Sequence, residues 1–204
     1  MWQSRRDVLA GMILAGLAWT SLALTSGALA QSPAPQPLKP PPAAGQLKPG
    51  LDAVYFYEDF KHIENMPTSA AALAKGKRKQ PVPNLDAGSG DGALWESGTT
   101  ELYGVHFTGL IELAAGDYIF VANSNDGVRV TLDKTRIIDD PDIHGDRFSK
   151  PANVKITQAG WYPITVQYFQ RRNTALLELH WQKPGGKQME IVPPEAFAHQ
   201  PATP

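Results

Sequence analysis

The chain has 204 residues, a length that suits one domain plus additional segments. Hydrophobic residues at 42% provide for a packed core, while 18 glycines and 18 prolines favour many turns over a helical bundle. A formal charge of −1 gives no general attraction to nucleic acid, and the lack of cysteine excludes disulfides, thiolate metal sites and a lipid-modified cysteine.

Residues 1–30 have the three parts of a secretory signal peptide. Arg5 and Arg6 form the basic end, Val8–Leu24 is an uncharged apolar run, and Ala28-Leu29-Ala30 supplies small residues for cleavage after Ala30. The start, Ser4-Arg5-Arg6-Asp7-Val8-Leu9, resembles a twin-arginine signal, although the general secretory route also accepts such a run. An uncleaved anchor is the competing reading, since about 17 apolar residues lie at the lower edge of a spanning helix. The Ala-Leu-Ala end and the prolines after it favour cleavage, leaving no stable membrane insertion and a periplasmic or secreted product. Removing Arg5, Arg6 and Asp7 from 19 basic and 20 acidic residues leaves 17 and 19, a net charge of −2.

Residues 31–49 carry prolines at 33, 35, 37, 40, 41, 42 and 49 and read as a disordered or polyproline II linker. Residues 50–199 change to short apolar runs separated by turn residues, with 200–204 left as a tail. Val105, Phe107, Gly109, Ile111 and Leu113 share one strand face, with His106, Thr108 and Glu112 opposite and facing solvent. Tyr118–Ala122 and Val128–Leu132 follow as strands, and the five residues between them read as a hairpin connection. Tyr162, Ile164, Val166 and Tyr168 alternate with polar residues, as do Leu177, Leu179 and Trp181, the last in phase with the core. Gly116 and Gly160 each precede a strand and a Tyr two residues on, where a positive φ turns the chain and the Tyr points inward. Only the alanine-rich Ser69–Lys75 suggests a helix. The whole is an all-β barrel or two-sheet sandwich.

Six pieces in register carry a family resemblance. They are Gly50–Tyr57, Gly104–Ile111, Gly116–Phe120, Asn125–Asp133, Gly160–Ile164 and Ala175–Trp181. Together they resemble the PA14 domain, named after a segment of anthrax protective antigen and found in flocculins, adhesins, glycosidases and bacterial surface proteins. The resemblance implies a PA14-like β-barrel and, as its best-described use, carbohydrate binding.

In sugar-binding members of that family, two aspartates joined by a cis peptide grip a calcium ion that binds vicinal hydroxyls. The resemblance places Asn125 and Asp126 at those positions, with Gly127 next to them. A second support from a later loop falls on Gln170–Thr174, where Asn173 offers an oxygen. The implied ligand-binding set is Asn125, Asp126, Gly127, Arg171, Arg172 and Asn173, and the implied calcium set is Asn125, Asp126 and Asn173. Calcium takes six to eight oxygens. Replacing the first aspartate by Asn125 removes a charge, and Arg171 and Arg172 repel a cation while favouring an anionic glycan. A plain Asn-Asp-Gly turn is the remaining alternative.

Asp139–Asp146 packs four carboxylates and His144 without the spacing of a calcium loop, and it reads as an ordinary connection. Lys75–Lys79 reads as a solvated basic insertion. No histidine spacing suggests zinc, and neither a nucleophile elbow nor an HExxH helix is present, so a hydrolase is disfavoured. The expectation is an exported, non-catalytic module that binds carbohydrate or another envelope polymer, anionic or not, through loops at one end. A structural or protein-interaction module is the alternative, and nucleic acid is not a partner.

Overall fold

Alternating apolar residues become strands throughout the computed structural model, which describes residues 34–43 and 45–201. The expected signal peptide and its cleavage point lie outside the described residues. The chain runs through β1 (Lys48–Pro49), β2 (Asp52–Phe56), the short helix α1 (Ala70–Leu73), β3 (Lys77–Arg78) and β4 (Asp86–Ser89). The long β5 (Tyr103–Leu113) and β6 (Gly116–Asn125) follow, then β7 (Val128–Leu132), β8 (Thr135–Asp140) and β9 (Arg147–Phe148). β10 (Ala152–Ile156), β11 (Gly160–Gln170), β12 (Ala175–Gln182), β13 (Glu190–Ile191) and β14 (Phe197–His199) complete it.

Two antiparallel sheets face each other. The larger is ordered β1-β14-β5-β11-β7-β8, with β2 also on β5 and β3 on β2. The smaller is β10-β6-β12-β13, with β9 also on β6 and β4 also on β12. Period-two alternation points Tyr103, Val105, Phe107, Ile111 and Leu113 of β5 and Tyr162, Ile164, Val166 and Tyr168 of β11 between the sheets, all essentially inaccessible. Tyr118, Phe120 and Ala122 of β6 and Leu177, Leu179 and Trp181 of β12 meet them from the other side. Tyr118 and Trp181 pack at 5.8 Å between ring centroids. Each fully buried side chain of this size stabilises by roughly 1.5–3 kcal/mol. Gly116 and Gly160 adopt φ of +140° and +154°, and both tyrosines that follow them point inward.

Three features differ from the sequence reading. Residues 123–127 do not form a hairpin: β6 belongs to the smaller sheet and β7 to the larger, so this segment carries the chain across the sandwich. His106 does not face solvent. The outer face of the larger sheet is covered by a second apolar cluster in which Phe60, Ile63, Met66 and Leu73 pack on Val54, Phe56 and Phe169, and His106 lies on that face, 5% exposed. The proline-rich segment is not a free spacer where it is described. Pro35 and Pro37 are buried, Leu38 N donates to Trp161 O at 2.7 Å, and Gln36 N donates to Asp133 Oδ2. The reason is local: β7 stops pairing with β11 at Ile164, so the carbonyl of Trp161 is left for another donor. This contact lies at the Gly160 end of β11, and the crossing at Asn125 lies at the Gln170 end.

Candidate functional site

The crossing between sheets is the peptide Asn125–Asp126, which is cis. Asn125 still pairs with Leu176 in the smaller sheet. Asp126 already belongs to the larger one, its N–H donating to Phe169 O at 3.1 Å, while Phe169 N donates to Gly127 O. Tyr168 Oη fixes the bend from within by donating to Asn125 O at 2.6 Å.

Three segments gather around this point. Asp126 Oδ2 accepts from Arg171 N at 2.7 Å and Asp126 Oδ1 from His144 N at 3.2 Å, so one carboxylate ties the β8–β9 loop to the β11–β12 loop. Asn125 Nδ2 donates to Asp146 Oδ1 at 2.8 Å and to Thr174 Oγ1 at 2.9 Å, tying the same two loops a second time. The segment before α1 straps both: Ile63 N donates to Pro141 O, and Asp59 holds the guanidinium of Arg171 through Nε at 2.7 Å and Nη2 at 3.2 Å. Glu64 of the same segment binds Arg129 Nη2 at 2.7 Å, and Arg129 also holds Asp139.

Burial divides the expected residues. Asn125 and Asp126 are buried, at 6% and 3% exposure. Gly127 is covered as well, since a Cβ there would lie 2.5 Å from Phe169 Cε1 and 2.9 Å from Pro141 O. It therefore offers no ligand surface. Arg172 and Asn173 are exposed on the same rim, Asn173 at φ +67° with its carbonyl accepting from Gln170 Nε2. Arg171 is present but committed to Asp59, so the repulsion expected between it and a cation is largely relieved. Asp146 and Thr174, both exposed, were not singled out by the sequence. Their only sequence signal was membership of two polar loops, one of them read as a plain connection.

That connection behaves largely as read. Asp139 pairs with Arg129 and Arg136, Asp140 with Arg147 and His144, and Asp142 faces His62 at 3.7 Å. The exception is Asp146, which turns to Asn125. Burial raises the Asp126 carboxyl above its ordinary pKa, and the N–H donors of Arg171 and His144 pull against that rise.

The oxygens of Asp126, Asp146 and Thr174 with the amide of Asn125 are hard donors, and in chemistry they suit calcium. Asn125, however, gives its NH2 group to Asp146 and Thr174, so the set is closed by hydrogen bonds. Among the described residues no three His, Cys, Asp or Glu side chains converge as a metal site.

The model of the PA14 domain matches residues 47–194. The chain belongs to the PA14 domain family. The solved structures similar to it share its fold. One is an anti-sigma factor domain-containing protein from Clostridium clariflavum, with 23% identity over 77% of this chain and a TM-score of 0.61. This chain spans about half the length of that protein, 48%. A PA14 sugar-binding domain from an RTX adhesin is 19% identical, covers 74% of this chain and 98% of its own, and has a TM-score of 0.60. The epithelial adhesin 9 A domain from Candida glabrata, in complex with Galβ1-4GlcNAc, is 9% identical, covers 78% and 92%, and has a TM-score of 0.55. No curated protein matches.

Proposed function

We propose that this PA14 domain is an exported, non-catalytic module that binds carbohydrate at the rim around the Asn125–Asp126 crossing. One observation carries the reading. Exposed Asp146 and Thr174 are held in place by a buried amide, with exposed Asn173 and Arg172 beside them on the same loop as Thr174. Sugar hydroxyls both donate and accept, and this rim offers a carboxylate, a hydroxyl, an amide and a guanidinium within two short loops. The sugar-binding domain of the RTX adhesin and the adhesin domain in complex with Galβ1-4GlcNAc support the same reading. Export rests on the signal-like residues 1–30, which favour the periplasm or the exterior.

Calcium assistance is part of the proposal as a separable component. Asp126, Asp146 and the amide oxygen of Asn125 would hold the ion only after the Asn125 amide turns over and gives up its hydrogen bonds to Asp146 and Thr174. When bound, it would offer free coordination positions to vicinal hydroxyls. Arg172 is the group that would favour an anionic glycan. A purely structural module is the second reading, and the commitment of both Asp126 oxygens to main-chain N–H groups favours it.

A glycan array probed with mature protein, first with calcium and then with chelator, separates these. Binding lost on Asp146→Ala supports the rim, and loss in chelator adds the ion. Loss of acidic glycans alone on Arg172→Ala marks an anionic ligand. An array without any bound glycan, read with folded protein, leaves the structural module.

A further inference from the structure

β9 leads away from the rim along the edge of β6, with Arg147 opposite Ser124 and Phe148 opposite Asn123. Asp146, just before β9, is held by Asn125 of β6, and Phe148 lies opposite Asn123, two residues back on the same strand, so Phe148 and Asp146 border one face of β6. Phe148 is 63% exposed, more than any other large hydrophobic residue described. One side of its ring is held: His180 meets it edge-on at 5.7 Å and 67°, and His180 Nε2 pairs with Glu178 Oε2 at 3.0 Å. The same oxygen accepts from Asn123 Nδ2 at 3.0 Å. The imidazole beneath the phenyl ring is thus fixed by two neighbouring strands. Beside Phe148 opens a cleft of about 390 Å3 lined by Asp139, Asp140, Arg147, Phe148 and Lys150. Lys150 forms no ion pair among the described residues.

We infer that Phe148 and this cleft form a second sugar subsite, in which the phenyl face stacks on the C–H face of a pyranose ring whose neighbour in the glycan occupies the rim. The inference rests on the carbohydrate reading of the rim and extends it, specifying oligosaccharides over single sugars. Three properties select this occupant. An aromatic ring offers an apolar face, and a pyranose has one C–H face that matches it in size. The cleft that the ring lines also carries groups that hydrogen-bond hydroxyls: Asp139, Asp140, Arg147 and Lys150. A protein partner would ask for a wider apolar core around the ring than these charged neighbours leave. The cleft volume also lies within the roughly 300–1,000 Å3 usual for small ligands.

The test compares chain lengths. Affinities are measured by calorimetry for cello-oligosaccharides, chito-oligosaccharides and lactose, each beside its monosaccharides, using wild type, Phe148→Ala, Phe148→Trp and Asp146→Ala. Because Phe148 is mostly exposed, the alanine variant should melt like wild type, which a thermal scan checks. The expected result is that Phe148→Ala lowers oligosaccharide affinity about tenfold, towards that of the monosaccharide, and that Phe148→Trp keeps it. Oligosaccharide affinity unchanged in Phe148→Ala but lost in Asp146→Ala overturns the subsite and leaves the rim reading intact. Failure of every sugar to bind wild type removes the rim reading, and the subsite with it.

Discussion

Asp126 and Arg171 are hydrogen-bonded through the main chain of Arg171, and their side chains form no ion pair. The Arg171 N–H donates to Asp126 Oδ2 at 2.7 Å, while its guanidinium reaches away to Asp59. The carboxylate therefore serves as a bracket between loops, and the arginine as a link to the strap before α1. Both facts shape what mutations at this rim should do.

Asp126→Ala removes the acceptors of two main-chain N–H groups, those of Arg171 and His144. Leaving such donors without partners costs about 1–3 kcal/mol each. The expected loss is about 2–6 kcal/mol in urea unfolding, with weakened sugar binding as a consequence of displaced loops. A variant as stable as wild type would show that the bracket does not hold the loops.

Much of the sandwich was legible because β5, β11 and β12 alternate with period two, and a strand with one buried face writes its face assignment into the sequence. Which sheet a strand joins is not written there. Asn-Ser-Asn-Asp-Gly has the composition of a tight turn, but hydrogen bonds from Phe169, distant in sequence, decide that it crosses between sheets. The partners of Asn125 were hidden for the same reason, since Asp146 and Thr174 lie 21 and 49 residues away. His106 was misread because its cover comes from Phe60, Ile63 and Met66, which sit in a loop segment without periodicity.

That buried histidine has a measurable consequence. Desolvation lowers the His106 pKa from 6.5 to about 4. The folded state holds it neutral while the unfolded chain takes up a proton, so its contribution is complete above pH 6.5 and is lost as pH falls towards 4. The full loss is on the order of 3 kcal/mol. Asp59 and Glu64, held low by Arg171 and Arg129, lose their contributions as pH falls through and below the ordinary carboxylate range, which touches the lower end of this window, but they do so in wild type and variant alike. Unfolding free energy measured between pH 7 and about 4 should fall less steeply in His106→Gln than in wild type. Parallel profiles would mean that His106 is hydrated in the native protein.

Gly127 is constrained by its neighbours. A methyl group there would meet Phe169 Cε1 at 2.5 Å and the carbonyls of Pro141 and Asp142 at 2.9 and 3.0 Å. Phe169 is fixed in the second apolar cluster, so the loop must yield. Gly127→Ala should destabilise by about 1–3 kcal/mol. Hydrogen exchange should increase at His144 N, whose acceptor Asp126 depends on the position of that loop. Unchanged exchange would place the adjustment in β11 instead.

Asp59 controls the charge seen by a ligand. Its carboxylate pairs with Arg171, and its pKa is held below the usual value chiefly by that hydrogen bond. Because the pair is solvent-exposed and screened, Asp59→Ala should change stability little. It should, however, release the Arg171 guanidinium beside Arg172, adding unpaired positive charge at the rim. Affinity for a uronate-containing oligosaccharide should then rise severalfold at low salt, and the gain should shrink as salt is added, since exposed charges are screened over about 8 Å at physiological ionic strength. Any calcium affinity should fall in the same variant, because both Arg171 and Arg172 lose the compensating charge of Asp59. Equal affinities for acidic and neutral oligosaccharides in wild type and Asp59→Ala would show that neither arginine faces the ligand, and would confine recognition to Asp146, Thr174 and Asn173.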